Sequence, residues 1–558
     1  MQPVSNLVLG PLLRYVGRTC ATVWLEADRP GVARVELVEE GSGAVVAARS
    51  PTFHVLGHHY ALVVVEGLEP GRTYRYGVDL GAGRVWPPPG SGFPPSVIHT
   101  LGGDHALRIA FGSCRQSDPQ APGEDPQAIG PAGRRGQDAL VACAQRLLDQ
   151  PTARRPDALL LLGDQLYADE AAASAATSFE GFTRLYRVAW QQPAVRWLLS
   201  TVPTAMIFDD HDIQDDWNTS QSWVEHIRAQ PWWHGRIVGG LMSYWLYQHL
   251  GNLAPEDLRA DQVWAELRAA RDGGPALAAY AERADQEPGA QGTRWSFRRD
   301  FGRVRLVVID SRCGRLLAGG RRDMLHPAEW SWLDAQLRGD VDHLLLGTSL
   351  PYLLPRAIHD LEAWNEAVCA GAWGRVAARL GERVRQGLDL EHWAAFRGSF
   401  ERLAGLIAAV GAGERGAPPA SIVLLSGDVH HAYLAEADFP PARGVTSRVF
   451  QAVCSPLHNR LQPSLQRVNR LATGRPGRWL GRLLAAGAHL PPPPVDWRVT
   501  HGPFYDNQIA TLTLDGPAAT LRLERAVARD GQPALETVLE QPLTSPAPRP
   551  AADGTRVR

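Results

Sequence analysis

Thr204-Ala-Met-Ile-Phe-Asp-Asp-His-Asp-Ile-Gln-Asp-Asp216 is an apolar run that breaks at once into five carboxylates and an imidazole. A short apolar run bounded by polar residues reads as a buried strand of an α/β fold. Acids crowded at the end of such a strand repel one another, and a multivalent cation would compensate that repulsion. A solvated acidic loop is the alternative, but burial of the preceding run favours the cation.

Working outward, five other apolar runs end in the same abrupt way. Ile109-Ala-Phe111 leads into GSCRQ, Ala158–Leu162 into GDQLYAD, and Val304–Ile309 into DSR. His343–Leu346 leads into GTSLP and Ile422–Leu425 into SGDVHH. Ligands of open α/β sheets bind beyond the carboxyl ends of the strands, where loops converge on a rigid frame. These six endings are therefore expected to meet at one site.

Their chemistry is that of a metal centre. Asp164 and Tyr167 are spaced so that both can face one point, and a phenol beside a hard cation can lose its proton and ligate it. Cys114 offers a thiolate. Asp428 and His430 are alternate residues, so on an extended segment they share a side while His431 points away. Carboxylates from Asp164, Asp210 and Asp428, nitrogen from His430, sulfur from Cys114 and phenolate from Tyr167 suit two unlike metals better than a closed zinc site. A dinuclear centre acidifies a water and clamps the oxygens of an in-line phosphoryl displacement. His211 is then left to protonate a leaving oxygen, and Arg115 and Arg312 to hold the phosphate. No Gly-x-x-x-x-Gly-Lys loop, no strand followed by Gly-x-Gly-x-x-Gly and no Gly-x-Ser-x-Gly elbow competes with this reading.

Around this core, residues 1 to about 101 carry short alternating runs such as Cys20–Leu25 and Tyr60–Val65, the pattern of a small β-sandwich. Residues 102–540 form the α/β part, interrupted by helical insertions at about 217–282 and 362–413. Asp515-Gly516 marks a closing hairpin, and 541–558 reads as a disordered tail. Arg460 to Arg482 contains six arginines and no acid, which reads as an exposed basic amphipathic helix or a membrane-surface segment.

The 558 residues are 44% hydrophobic and 21% charged, ordinary values for a folded protein. A net charge of -2 gives no field for collecting nucleic acid. All 57 basic residues are arginines, and the six cysteines form no Cys-x-x-Cys pair. Met1–Gly17 lacks a basic region followed by a long apolar run, so the sequence reads as cytoplasmic or as a mature exported form.

Together, FGSCRQ, GDQLYAD, DDHDIQDDWN, IDSR, GTSLP and SGDVHH resemble, in order, the motifs of the PhoD-like alkaline phosphatase and phosphodiesterase family over about residues 108–436. The resemblance implies a calcineurin-like metallophosphoesterase core, a two-sheet β-sandwich flanked by helices, behind an immunoglobulin- or fibronectin-like N-terminal domain. It implies hydrolysis of phosphate monoesters or diesters. Cys114, Asp164, Tyr167 and His430 would hold a ferric ion. Asp164, Asp428 and an acid of the 210–216 run, Asp210 or Asp215, would hold calcium, with manganese, magnesium or zinc as substitutes. Two departures stand out: Asp215 and Asp216 occupy the place of the family's paired asparagines, and no twin-arginine signal precedes the sandwich. A metal-stabilised scaffold that no longer turns over, associated with membranes through Arg460 to Arg482, is the rival from another class.

Overall fold

Alternating apolar positions pair two small sheets face to face at the start of the chain. Strands β1 (Leu7–Val16), β2 (Cys20–Ala27), β3 (Val32–Glu39), β4 (Val45–Pro51) and β5 (Phe53–Val55) are followed by β6 (His58–Glu66), β7 (Thr73–Leu80), β8 (Gly83–Trp86) and β9 (Val97–His99). One sheet has the order β1-β2-β6-β5; the other has β4-β3-β7-β8 with β9 also on β7. Val23, Leu25, Val63 and Val65 from the first pack with Val35, Leu37, Tyr76 and Val78 from the second. The opposite face of the first sheet is buried too: Trp24 lies 5.1 Å from the Tyr247 ring, and Tyr60 joins the main core. Burial on both faces explains why β6 is a continuous apolar run rather than an alternating one. The computed structural model describes residues 6–81, 83–102, 105–117, 135–170, 176–287 and 293–544.

The rest of the chain builds two larger sheets. Their strands are β10 (Leu107–Gly112), β11 (Ala158–Leu162), β12 (Thr204–Ile207), β13 (Phe297–Phe301), β14 (Val304–Ile309), β15 (His343–Thr348) and β16 (Ser421–Ser426), then β17 (Ala432–Asp438), β18 (Arg448–Val453), β19 (Asp496–Phe504), β20 (Gln508–Asp515), β21 (Ala518–Arg529) and β22 (Gln532–Thr544). One sheet runs β12-β11-β10-β20-β21-β22, the other β13-β14-β15-β16-β18-β17-β19. All six apolar runs singled out above are strands, three in each sheet, parallel to their neighbours within the set. Period-two alternation sorts the second sheet's side chains. Leu306, Val308, Leu345 and Val423 join the core shared with β10 and β11, while Val307, Leu344, Leu346 and Ile422 face the helices Pro327–Gln336 and Arg397–Gly411. The result is a mixed α/β fold of several sheets with an all-β N-terminal part.

Both expected helical stretches contain helices, with Gln221–Arg228 and Trp233–Tyr244 in the first and Arg356–Cys369, Gly374–Gly387 and Arg397–Gly411 in or bordering the second. The closing hairpin pairs Asp515 with Ala518 and then continues into β22, which the sequence analysis did not foresee. The expected disordered tail needs correcting at its start, since residues 541–544 belong to β22; the remainder lies outside the described residues.

Arg14 fastens the sandwich to the core. It is fully buried, and its guanidinium donates to the carbonyls of Thr204 at 3.0 Å and of Tyr247 and Gln248 at 2.6 Å. Arg14→Met would strand these carbonyls without donors, and we expect it to destabilise the protein by about 3 kcal/mol, read as an earlier urea transition. The exposed Val45→Ser should shift that transition by less than about 0.5 kcal/mol.

Candidate metal centre

The loops after β10, β11 and β16 are knitted together by backbone hydrogen bonds. Cys114 N–H donates to Gly163 O, Arg115 N–H to Asp164 O, and Asp428 N–H to Ser113 Oγ. Such close approach requires small residues: a Cβ on Gly427 would lie 2.0 Å from Ser113 Oγ, and one on Gly163 would lie 2.6 Å from Asp209 Cβ. Cys114, Asp164, Asp428 and His430 all have left-handed backbone, with φ of 56°, 51°, 68° and 51°. Each such non-glycine residue costs on the order of 1 kcal/mol or more and persists only where its surroundings impose it. Here four fall on one group of side chains.

Donor atoms of Cys114, Asp164 and His430 lie within 4.8 Å of one another, and so do those of Asp164, Asp209 and Asp210. Asp164 is common to both sets. Both of its oxygens, with Asp209 Oδ2, are buried without a hydrogen-bond partner. Burial and the charges of Asp209, Asp210 and Asp212 hold its carboxyl well above the usual range, against the pull of His211. Burial likewise pushes the Cys114 thiol up, with Asp164 and Asp428 adding to it. Burial draws His430 down to about 4, leaving a neutral imidazole. Sulfur and unpartnered carboxylate oxygens that are buried, with the neutral nitrogen of the partly buried His430, are a donor set that fits cations. Tyr167 is buried beside them, its ring 4.6 Å from the His211 ring.

Other residues are placed differently from expectation. The segment 428–430 is not extended, and the Asp428 carboxylate is held by a histidine outside the expected set: its Oδ2 lies 2.9 Å from His392 Nε2, whose Nδ1 lies 2.7 Å from Glu362. Arg115 was expected at a phosphate. Its guanidinium is instead committed to Asp138, the Ala189 carbonyl and Gln192 on the far side of its loop. Arg312 does reach the centre, but it is fully buried and spent on carboxylates: it pairs with Asp209, with Glu391 at 2.6 Å, with Asp210 at 3.2 Å and, more loosely, with Asp428 at 3.8 Å. Both guanidinium groups are paired with carboxylates of the chain itself. Asp215 stands at the rim with a side chain 59% exposed, 3.8 Å from His211 Nε2.

His211 rests on Asp169, with Nδ1 2.9 Å from Oδ2. Burial alone would lower its pKa, but that bond and the charges of Asp210, Asp164 and Asp169 raise it well above the ordinary value. That bond and those charges favour the imidazolium over the neutral ring. Asp212 acts from behind: its carboxylate accepts from the backbone N–H groups of Asp164, Gln165, Leu166 and Asp209, locking the loops after β11 and β12 together.

Sequence reasoning passed over Asp169, Asp209 and Asp212 although they sit inside quoted motifs, because adjacent acids cannot be told apart without the backbone's turn. Glu362, Glu391 and His392 carried no strand-end signal at all.

A family model described as a domain of unknown function, DUF7800, matches residues 4–98. No curated protein matches the sequence. Among solved structures, that of PhoD superposes with a TM-score of 0.58 at 12% identity, covering 98% of this chain and 93% of that one. A purple acid phosphatase isolated from yellow lupin (Lupinus luteus) seeds gives a TM-score of 0.47 at 11% identity, covering 96% and 74%. The chain thus has a fold similar to that of PhoD.

Cation binding here has to displace protons. Besides Asp164 and Cys114, burial and the crowded acids lift Asp215 to about 6 and Asp216 to about 8. Raised pKa values mean that protons compete with a cation, at Asp216 still at neutral pH and at Asp215 mainly below it, so cation affinity should increase from about pH 6 to about pH 8, by up to about tenfold per unit for each proton released. Calorimetric titration with manganese in buffers of different ionisation enthalpy measures both quantities; a flat profile would overturn the assignment.

Proposed function

We propose that the protein is a metal-dependent phosphoesterase acting on phosphate monoesters or diesters. The observation that carries this reading is Asp164, whose two buried, unpartnered oxygens belong at once to a Cys/His set and to a carboxylate set. Cys114, His430 and Tyr167 with Asp164 suit a ferric ion, and Asp164 with Asp209 and Asp210 suits calcium or, in its place, manganese, magnesium or zinc. The chemistry supplied by such bound cations is charge neutralisation at phosphorus and acidification of a water. The similarity of fold to PhoD and the order of the six motifs support membership of the PhoD-like family.

The chain's own groups account for the rest. His211, held protonated and oriented by Asp169, is the proton donor to the leaving oxygen. Its ring packs against Tyr167, with centroids 4.6 Å apart. Arg312 holds Asp209 and Asp210 in place against their mutual repulsion, so it is a positioning residue and does not grip the substrate.

Hydrolysis of p-nitrophenyl phosphate and of bis-p-nitrophenyl phosphate by metal-loaded protein tests the reading. Asp164→Asn should lose bound metal, by elemental analysis, together with activity. His211→Gln should keep its metal and lose on the order of 10²-fold or more in rate, chiefly for esters with poor leaving groups. Because the acting form of His211 is the protonated one, wild-type rate should fall as pH rises through its elevated pKa, and the variant should lack that limb. Full metal content without turnover on either ester would favour the scaffold reading instead.

A further inference from the structure

Nine of the fourteen large apolar side chains exposed among the described residues lie on, or at the ends of, the helices Gly374–Gly387, Pro463–Thr473 and Arg475–Gly487. On the first of these, Trp373, Val376, Leu380, Val384 and Leu388 recur at intervals of three and four and form one stripe, with Val376 at 74% and Leu380 at 54% exposure. Such a stripe normally faces the core. Here the helix is turned inside out. Its buried positions are Gly381 and Arg385, and a Cβ at Gly381 would lie 3.0 Å from Cys369 Sγ on the helix Arg356–Cys369.

The helix Arg475–Gly487 repeats the arrangement. Gly481 packs against Ala357 of the same supporting helix, while Trp479, Leu480 and Leu483 point to solvent, Trp479 being 66% exposed. Trp373 Nε1–H donates to Gly487 O at 3.0 Å and so ties the start of one stripe to the end of the other helix.

Charge decides what covers this face. Arg375, Arg379 and Arg383 are exposed beside the first stripe, and none of them forms a salt bridge among the described residues. Glu382, the one acid of that helix, is already engaged by Arg385 and Ser222. Residues 460–495 contain no acidic side chain, and Arg467 and Arg482 are exposed there. A second copy of the chain would bring arginines against arginines. No helix among the described residues is long and apolar enough to cross a membrane. Tryptophan and leucine flanked by exposed arginines, three of them without a salt bridge among the described residues, match an anionic bilayer surface, with aromatic rings at headgroup depth and guanidinium groups on phosphate.

We propose that these helices seat the protein on anionic phospholipid membranes, lying on the surface without spanning it. The stripe ends at Leu388, three residues before Glu391, so the seat runs up to the segment that supplies Glu391 and His392 to the metal centre. The proposal stands or falls independently of the phosphoesterase reading, because lipid binding needs no turnover.

Co-sedimentation of the full chain with extruded vesicles tests it. Binding to phosphatidylcholine vesicles containing phosphatidylglycerol should be at least about tenfold tighter than to phosphatidylcholine alone and should weaken with added salt. The exposed-residue variants V376S/L380S and W479S/L480S should melt as the wild type does yet lose on the order of tenfold or more in vesicle affinity. R375Q/R379Q/R383Q should abolish the preference for anionic lipid. Failure to bind either vesicle, or binding untouched by these substitutions, overturns the proposal. So does a concentration-dependent dimer in sedimentation velocity that the same substitutions dissolve.

Discussion

Three buried carboxylates, Asp164, Asp209 and Asp210, and the partly buried Asp428 are gathered around Arg312 and one another, and the architecture around them follows from keeping them there. Desolvating one carboxylate is costly and desolvating several together is far more so unless charge of opposite sign is fixed among them. Arg312 supplies part of that charge and is itself drawn well above its ordinary pKa by Asp209, Asp210, Glu391 and Asp428, against the lowering effect of burial. His392 supplies another part. Through it and Arg312, Asp428 is held below the usual carboxylate range although burial alone would raise it. Asp209 is paired with Arg312, whereas neither oxygen of Asp164 has a hydrogen-bond partner, and burial with the charges of Asp209, Asp210 and Asp212 holds its carboxyl well above the usual range against the pull of His211, a cost that a cation would relieve.

Backbone strain fits the same picture. Left-handed conformations at Cys114, Asp164, Asp428 and His430 together cost several kcal/mol by the usual measure, and the loops hold them through mutual hydrogen bonds rather than through glycine. Glycine stands where another segment passes close by, at Gly163 and Gly427 and, against Leu457, at Gly112. Asp212 makes this affordable, since one buried carboxylate closes four backbone N–H groups from two loops.

The strands and their endings were legible because a buried parallel strand needs a solid apolar run and a site needs polar residues just beyond it. That two physical demands coincide six times made the pattern readable without a structure. Pairing within the site was not legible. The alternation argument placed Asp428 beside His430, yet both adopt left-handed backbone, and Asp428 turns to His392 instead. Arg115 sits next to Cys114 in sequence, but its long side chain crosses to Asp138 and Gln192, which no local pattern announces. Glu362 and His392 come from a helix and from a link between helices, where charged residues are ordinary and carry no signal. Arg14 was equally silent, because its partners are backbone carbonyls about two hundred residues away.

The segment from Arg356 to Gly411 shows why an insertion can be more than decoration. Phe400, Leu403 and Ile407 cover one face of the seven-stranded sheet. From the same segment, His392 bonds Asp428 and is backed by Glu362, and Glu391 pairs with Arg312, so the segment bears on the charge of the candidate centre. Its middle helix presents an apolar stripe outward, tied through Gln386 and Glu382 to Ser220 and Ser222 beside the acidic loop. Moving that helix would strain the Thr219–Glu391 hydrogen bond and the Arg312 ion pair behind it. The outer face is therefore linked to the innermost charges of the site through the Gln386–Ser222, Glu382–Ser222 and Thr219–Glu391 hydrogen bonds.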